Sequence, residues 1–381
     1  MKWKNLKIGQ KLAMGFGSIL VLLAITGYVG FEGIQKVSHS LFVVGDEEAP
    51  LVDMAMEMKI ALWASRNSME EFKSASAALA TDDRESLDSI AKEYTQTLED
   101  FDRFADAILN GADFDDGMKV IKTDNKDLAA LISQSEEVHN SRFQRAAEDM
   151  MTAGKELLDK KKVADQAMER MEAIYDEVYE DASSLEQMIS TEITQRAVAA
   201  NIQGEAKAIL DEEVPLADLA NELKIIMART RLVLEEYVQT RELDSLDELE
   251  KEYAARLEEF DQDVVAILEG GVIEGRKVIA TDNDGIRASV KEMDENHEDF
   301  QKRVSVLMES HREAIAQAVL AEKAMTNLDA AGEEADQMLS KVEALAGQEM
   351  FNAKVEGGIA KKTAIAVMIA VTIISILAGV I

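Results

Sequence analysis

The sequence predicts an all-α protein in which two stacked four-helix bundles share two long helices and are flanked by two transmembrane helices. Three observations predict this fold: two long segments without an ionisable side chain, a tandem duplication between them, and apolar residues that recur at three- and four-residue spacing. The whole chain has only two prolines, and no long stretch alternates with the period of two that strands require.

The two uncharged segments are long enough to cross a bilayer. Residues 13–31 and 363–381 each comprise 19 residues without an ionisable side chain, close to the roughly 20 apolar residues that a membrane helix needs. Lysines without acidic neighbours precede the first segment, which predicts that residues 1–11 are cytoplasmic and that residues 32–362 lie outside the cytoplasm.

A cleaved signal peptide is the alternative for the first segment. The apolar run exceeds the usual length of such a peptide, and no Ala-x-Ala-like cleavage site follows it. We therefore expect a retained membrane helix at 12–31 and a second one at 363–381, in the inner membrane, with a periplasmic region between them. Because the chain ends within the second segment, we expect a fragment whose cytoplasmic portion is absent.

The charge of the exterior region excludes some partners. Once the four amino-terminal lysines are set aside, 37 of the 41 basic residues remain against all 74 acidic residues. Such a negative field repels nucleic acid and anionic lipid, so neither is expected as a partner. The absence of cysteine from the sequence excludes disulfides and thiol chemistry.

The exterior region is a tandem duplication. Residues 47–72 and 212–237 are identical at 12 of 26 positions, at an offset of 165 residues. Further along, Thr123-Asp124-Asn125 corresponds to Thr281-Asp282-Asn283. The two copies span about 45–200 and about 210–355.

Each copy is predicted to contain two short helices followed by a very long one. In the first copy we expect helices at about 45–80, 84–110 and 116–200, separated by a polar break at 81–83 and a glycine-rich turn at 111–117. The two prolines, Pro50 and Pro215, mark matching positions where each first helix begins or kinks. At about 1.5 Å per residue, the two short helices together are nearly as long as the long one and can stack along it.

This arrangement resembles a known family of receptors. A duplicated six-helix exterior domain between two membrane helices is similar to the helical bimodular sensor domain of methyl-accepting chemotaxis proteins. The opening, from Leu6-Lys7-Ile8-Gly9 to Gly15-Phe16-Gly17, resembles the start of the first membrane helix in those receptors. The resemblance implies a homodimer that binds a small organic acid and controls a cytoplasmic kinase through an adaptor.

The first helix of each copy carries residues suited to a carboxylate ligand. Lys59, Trp63 and Arg66 share one helix face because they are spaced i, i+4 and i+7. The second copy offers a matching basic group: Lys224, Arg229 and Arg231. Arginine binds a carboxylate through two parallel hydrogen bonds, so these positions predict a site for a small organic acid. The alternative is surface pairing with the acids four residues on, Glu70 and Glu235.

The Thr-Asp-Asn motif lies near the predicted start of each long helix. Continuing the helical register from Ile121 to Leu128 predicts Asn125, or Asp124, on the buried face, and the same register applies to Asn283. Polar groups on a core face need hydrogen bonds. Two interpretations stay open: the amides contact a ligand inside the bundle, or they bond to one another and set its register.

Two histidines fall near the core face at matching positions. Glu136-x-x-His139 has the spacing used in di-iron bundles, but the second copy has Asp294-x-x-His297. We expect packed structural histidines, with no metal site and no cofactor. Inward convergence of these four residues would favour a metal centre instead.

The sequence predicts a receptor and not an enzyme. It has no cysteine nucleophile, no glycine-rich phosphate loop and no Gly-x-Ser-x-Gly elbow, so no catalytic residue is assigned. We expect a transmembrane chemoreceptor that senses small carboxylates. The alternatives are the sensor domain of a histidine kinase, or a membrane-anchored helical protein that binds a partner without a small-molecule ligand.

Overall fold

The computed structural model describes residues 7–78, 84–115, 117–199 and 205–380. The amino-terminal Lys2 and Lys4, the polar break at 81–83 and the link between the copies at 200–204 lie outside the described residues. The predictions made for those positions therefore have no structural counterpart.

The chain begins with an uninterrupted helical path. Helix α1 (Ile8–Phe42), a first π segment (Val43–Glu48) and α2 (Ala49–Ala77) follow one another without a break. The helix predicted at about 45–80 corresponds to α2, and Pro50 follows a π segment that joins α2 to α1 without a break. Proline lacks an N–H and its ring clashes with the carbonyl four residues earlier, and the wider π turn before Pro50 accommodates it: Ala49 N–H donates to Val44 O.

The rest of the first copy contains a small hairpin that periodicity did not predict. Its elements are α3 (Arg84–Asn110), β1 (Ala112–Asp113), β2 (Lys119–Val120), α4 (Lys126–Val138), a second π segment (His139–Phe143) and α5 (Gln144–Ala199). The long helix thus begins at Lys126, not near 116, because the preceding residues pair as antiparallel strands. Gly111 follows α3 with a φ of 83°, the left-handed conformation that favours glycine at a helix end.

The second copy repeats the same order. Its elements are α6 (Glu205–Ala208), a third π segment (Ile209–Glu213), α7 (Val214–Gln239), α8 (Leu243–Glu269), β3 (Gly271–Ile273), β4 (Arg276–Val278) and α9 (Asp284–Val380). Here too a π segment directly precedes the proline, Pro215, which lies in the first turn of α7. The recurrence of π segment, proline and hairpin agrees with the duplication read from the sequence.

The chain divides into two compact units, and each unit takes residues from both copies. Unit 1 comprises Met1–Glu71, Asp88–Glu148 and Ala324–Ile381, and unit 2 comprises Phe72–Leu87 and Asp149–Lys323. Because α5 and α9 each contribute to both units, the prediction of two shared long helices is confirmed.

Each unit is a helical bundle with its own apolar core. Fully buried residues in unit 1 include Met54, Met58, Phe101, Ile132 and Phe143. Those in unit 2 include Leu223, Met227, Phe260, Val290 and Phe300. Burying one such side chain stabilises a fold by roughly 1.5–3 kcal/mol. The apolar contacts between helices therefore stabilise each bundle of this all-α fold.

Two helical paths are long and apolar enough to cross a membrane, judged by length and composition. They run from Ile8 to Ala77 and from Asp284 to Leu377, and their apolar windows are almost entirely exposed. Within unit 1, α1 and α9 approach closely where small residues face one another. A Cβ added at Gly33 would lie 2.5 Å from Ala364 Cβ, and one at Gly357 would lie 2.8 Å from Ser40 Cβ. Small residues of this kind let helix backbones pack closely.

Candidate functional site

A group of four carboxylates in unit 1 lines a cavity. We call Glu47, Glu48, Asp124 and Glu349 the first carboxylate cluster. Glu48 is the last residue of the first π segment and is only 7% exposed. A π turn holds one residue more than an α turn, which shifts the face presented by the residues that follow. The Oε2 atom of Glu48 is buried without a hydrogen-bond partner.

Asn125 ties the first carboxylate cluster to the start of α4. Its Oδ1 accepts hydrogen bonds from the backbone N–H groups of Asp127 and Leu128, at 2.9 and 3.2 Å, and its Nδ2 donates to Glu349 Oε1 at 2.5 Å. Asn125 is therefore the N-cap of α4, a position that asparagine favours. The expectation that Asn125 or Asp124 lies within the helix, on its buried face, is wrong, because the helix begins one residue later.

Asn283 has the same role in unit 2. Its Oδ1 accepts from the backbone N–H groups of Gly285 and Ile286, at 2.9 and 3.2 Å, and its Nδ2 donates to Glu192 Oε2 at 2.8 Å. It too precedes its long helix instead of lying on the buried face. The amides therefore bond to glutamates, and the interpretation in which they bond to one another does not apply.

A second carboxylate cluster occupies the matching place in unit 2. It consists of Glu192, Glu212, Glu213 and Asp282. Glu213 ends the third π segment, is 4% exposed, and like Glu48 has a buried Oε2 without a hydrogen-bond partner. In this cluster Arg196 lies among the acids, with a nitrogen 3.1 Å from Glu213 Oε1.

The two buried glutamates differ in their electrostatic surroundings. The pKa of Glu48 is raised to about 8, mainly by burial and also by the hydrogen bond to Glu349 and the charges of Glu349 and Glu47. Burial also raises the pKa of Glu213, as does the charge of Glu192, but there Arg196 opposes the rise. The pKa of Glu48 therefore lies above neutrality, so this buried acid holds its proton near pH 7.

The cavity beside the first carboxylate cluster measures about 630 Å³. It is bounded by the end of α1, the first π segment, the loop before α4 and the carboxyl-terminal part of α9. Its polar lining comprises the four members of the cluster together with His39, Ser40, Lys122, Thr123, Asn125, Asn352 and Glu356. A second polar surface pocket, of about 480 Å³, lies beside Glu192 and Asn283 in unit 2.

The basic residues predicted in the first copy are engaged with acids of the protein itself. Lys59 Nζ lies 3.1 Å from Ser340 Oγ and 3.4 Å from Glu343 Oε2, both on α9. Arg66 Nε lies 2.7 Å from Asp329 Oδ1, although without the alignment of a hydrogen bond. Trp63 is 58% exposed. None of the three residues Lys59, Trp63 and Arg66 lines the 630 Å³ cavity.

The basic residues of the second copy are also paired. Lys224 Nζ lies 2.8 Å from Glu186 Oε2, and Arg229 lies 3.9 Å from Glu222. Arg231 Nε donates to Glu235 Oε1 at 2.9 Å, as the surface alternative predicted. Its guanidinium also lies 5.2 Å from the ring centroid of Tyr175, within the range of a cation–π contact.

The two predicted histidines are packed in the cores. His139 stacks on Phe101 with ring centroids 3.8 Å apart, and His297 stacks on Phe260 at 3.6 Å. Burial lowers the pKa of both imidazoles to about 4. The prediction of packed structural histidines is confirmed.

Acidic residues approach each imidazole within its own unit. In unit 2, possible ligand atoms of Asp261, Asp294 and His297 lie within 4.8 Å of one another. In unit 1, His139 Nδ1 lies 3.9 Å from Asp102 Oδ1, and burial raises the pKa of Glu136. Among the described residues, Glu136 and His139 do not belong to the group of possible ligand atoms formed by Asp261, Asp294 and His297.

Comparison with known proteins defines the class of the fold. No family model matches the sequence, and no curated protein matches it. Among solved structures, the crystal structure of the TorS sensor domain–TorT complex in the presence of TMAO matches with a TM-score of 0.58 at 12% identity. The match covers 78% of this chain and 99% of that chain. At this identity it shows the fold alone, which is that of a helical sensor domain.

Sequence reasoning missed the carboxylate clusters. Glu48 and Glu213 both belong to a Glu-Glu-x-Pro motif that the two copies share, and this motif was the one available indication. Their partners Glu349 and Glu192 lie far away along the chain and look like other acids on solvated helix faces. Only the packing of α5 and α9 brings them to the asparagine caps.

Proposed function

We propose that this chain is the sensor portion of a transmembrane receptor: its exterior helices recognise a ligand or a partner, and two helices carry the change across the membrane. The observation that carries the proposal is helical continuity. One path joins the first apolar segment to α2 within unit 1, and α9 joins the same unit to the second apolar segment. A displacement of either helix in the exterior bundle is therefore transmitted to the segment that crosses the membrane.

Close packing between α1 and α9 supports this route. The contacts at Gly33–Ala364 and Ser40–Gly357 leave no room for an extra carbon atom. Helices packed so closely move between discrete arrangements more readily than they deform continuously. A ligand that binds one arrangement more tightly shifts the population toward it.

For the output, we propose a homodimeric chemoreceptor in the inner membrane that controls a cytoplasmic kinase. The family resemblance of the amino-terminal helix supports this reading. The sensor domain of a histidine kinase is the second candidate, and the fold shared with the TorS sensor domain favours it. The TorS structure is a complex with TorT, so recognition of a protein partner is a further mode to be tested.

For the ligand, we propose a small carboxylate at the basic residues of α2 or α7. The ion pair between Arg66 and Asp329 is 41% and 36% exposed on its two sides, and exposed pairs of this kind contribute only about 0.2–1 kcal/mol. A ligand carboxylate that binds Arg66 through two hydrogen bonds can therefore displace Asp329 at little cost.

The proposal is tested with the full chain in lipid nanodiscs, by calorimetric titration with mono-, di- and tricarboxylates. We expect saturable binding that is lost in Arg66→Ala or Arg231→Ala. The matched control is Arg103→Ala, an exposed arginine paired with Asp100 on α3. Loss of binding in all three variants, or silence across the panel from folded protein, would exclude this ligand site.

Signalling is tested separately, by joining Ile381 to the cytoplasmic half of a characterised chemoreceptor or histidine kinase. The sequence has no cysteine, so a pair introduced at positions 33 and 364 forms a unique disulfide. Locking α1 to α9 in this way is expected to hold the output in one state. An output that responds normally with the disulfide formed would contradict transmission through these helices.

A further inference from the structure

The two carboxylate clusters are related by the duplication and match at every acid. The correspondence pairs Glu47 with Glu212, Glu48 with Glu213, Asp124 with Asp282, and Glu349 with Glu192. The asparagine caps Asn125 and Asn283 correspond as well. Unit 1 and unit 2 therefore each contain the same acidic arrangement, and either one serves as a reference for the other.

In unit 2 this arrangement surrounds one guanidinium. Arg196 lies 3.1 Å from Glu213, 3.5 Å from Glu212, and 3.6 Å from each of Glu192 and Asp282. A buried carboxylate is costly unless a cation or hydrogen bonds compensate it. Arg196 supplies that compensation from within the chain.

In unit 1 the corresponding position is occupied by an alanine. Ala353 follows Arg196 by 157 residues, the same offset that relates Glu349 to Glu192 and Glu343 to Glu186. Within the described ranges, no lysine, arginine or histidine forms an ion pair with Glu48 or Glu349. The first carboxylate cluster thus keeps the four acids but has no counterpart of Arg196, although Lys122 and His39 also line the cavity.

Open space replaces the missing side chain. Ala353 lines the 630 Å³ cavity together with all four acids of the first carboxylate cluster. Glu48 is more than nine-tenths buried, lines this cavity, and has an Oε2 without a hydrogen-bond partner. Cavities of roughly 300–1,000 Å³ are the usual size for small-molecule sites.

We propose that the cavity of unit 1 binds a small organic cation, carrying a guanidinium or primary ammonium group, in the place that Arg196 fills in unit 2. The N–H groups of the ligand donate to Glu48 and Glu349, and the amide of Asn125 holds Glu349 in position. The shape of the reference cluster favours a planar guanidinium, since Arg196 reaches four acids through its fork of donors.

Binding is coupled to loss of a proton. Near neutral pH Glu48 holds a proton because its pKa is raised to about 8 by burial and by the neighbouring acids Glu349 and Glu47. The cationic ligand favours the carboxylate, so the O–H proton of Glu48 passes to solvent as the ligand N–H takes its place. The other charged groups facing the cavity are Asp124 and Glu356, with His39 and Lys122 as the basic residues.

The position of the cavity connects this inference to the sensor role. His39 and Ser40 lie at the end of α1, and Asn352 and Glu356 lie on α9. A ligand held here contacts both helices that lead to the apolar segments. This signalling consequence rests on the proposed function, whereas the binding itself does not.

The test uses the full chain in nanodiscs, titrated calorimetrically with methylguanidine, n-butylamine, 1,4-diaminobutane and calcium chloride. We expect one site per chain for at least one of the organic cations, with proton release detected in buffers of different ionisation enthalpy. Ala353→Arg places the chain's own guanidinium in the cavity and is expected to weaken binding at least tenfold. Arg196→Ala empties the second carboxylate cluster and is expected to raise the number of sites from one to two.

Glu349→Gln is the second variant, in case the arginine substitution prevents folding, and we expect a similar loss of affinity from it. The proposal is overturned if folded protein binds none of the organic cations, if it binds calcium alone, or if Ala353→Arg and Glu349→Gln leave the affinity unchanged. Cation binding without any response of a receptor chimera would keep this site and reject the proposed sensor function. A chimera that responds to another stimulus while no cation binds would keep the proposed sensor function and reject the cation site.

Discussion

Asn125 Nδ2 donates to Glu349 Oε1 over 2.5 Å, and so joins the start of α4 to a residue of α9 that lies 224 positions further along the chain. The Oδ1 of the same side chain caps α4. One asparagine therefore fixes where α4 begins and how α4 is positioned along α9. Asn283 and Glu192 repeat the relationship in unit 2, which makes the pair a recurring feature of the duplicated fold.

Replacing these asparagine caps tests whether Arg196 compensates the acids of the second carboxylate cluster while the acids of the first lack such compensation. Asn125→Asp keeps the cap acceptor but loses the Nδ2 donor and sets a carboxylate against Glu349. We expect a lower melting temperature at pH 8, measured by circular dichroism. In Asn283→Asp the same clash arises with Glu192, but Arg196 lies 3.6 Å from Glu192 and offsets it. Equal losses in the two variants would show that Arg196 does not compensate the acids.

The raised pKa of Glu48 predicts how stability depends on pH. The pKa is about 8 in the fold against 4.5 for an ordinary glutamate, so between these values the folded state holds a proton that the unfolded state has released. Stability therefore falls as pH rises through this window, by on the order of a few kcal/mol. Glu48→Gln removes the ionisable group and with it this pH-dependent loss of stability. The variant is therefore expected to melt several degrees higher than the parent at pH 8.

Glu213→Gln is the matched control for Glu48→Gln. It removes the partner of Arg196 along with the buried carboxylate, so we expect a smaller gain, or a loss, at pH 8. Melting temperatures of both variants across pH 5–8.5 check the prediction. A parallel rise in both variants would mean that the two clusters have the same electrostatics.

The buried histidines predict the opposite trend in acid. Their pKa values are lowered from 6.5 to about 4, so below pH 6.5 the unfolded state takes up protons that the fold excludes. Stability is lost as pH falls from 6.5 toward 4, by on the order of 3 kcal/mol for each histidine. A double variant, His139→Phe and His297→Phe, is expected to gain stability relative to the parent below pH 6.5.

Acidic residues near the two imidazoles also affect stability in acid, and they are present in both the parent and the double variant. Burial raises the pKa of Asp102 and of Asp261, which stabilises the fold in acid whether or not the histidine is present. The difference between the melting curves of variant and parent therefore isolates the imidazoles. A difference that does not change between pH 7 and pH 4.5 would contradict the lowered pKa values.

The packing of α1 against α9 predicts a position-specific effect of leucine. At Gly33 a Cβ would meet Ala364 Cβ at 2.5 Å, whereas at Gly27 nothing lies within 4 Å. Gly33→Leu is expected to push the helices apart, measured as a longer distance between spin labels on cysteines introduced at positions 36 and 361. Gly27→Leu is the control and should leave the distance unchanged. If both variants give the parent distance, the close approach is not maintained in the membrane.

Much of the fold follows from local sequence patterns. Apolar residues at three- and four-residue spacing predicted the helices, and the shared Pro50 and Pro215 motifs revealed the duplication. The hairpins were not predicted because their strands are only two or three residues long, too short for a period of two to show. The continuation of α1 into α2 was missed because a proline usually ends a helix, and the π turn that accommodates it leaves no mark in composition.

The sequence by itself determined the helical class, the repeat, the two apolar segments and the burial of His139 and His297, since each of these follows from spacing along one helix or from comparing the copies. Only the tertiary structure decided which of the 74 acidic residues matter together. Glu48 and Glu349 lie near opposite ends of the chain, and no local sequence pattern indicates that they meet. Whether a buried charge is compensated depends on what lies opposite it in space: an arginine in unit 2, and an alanine with a cavity in unit 1.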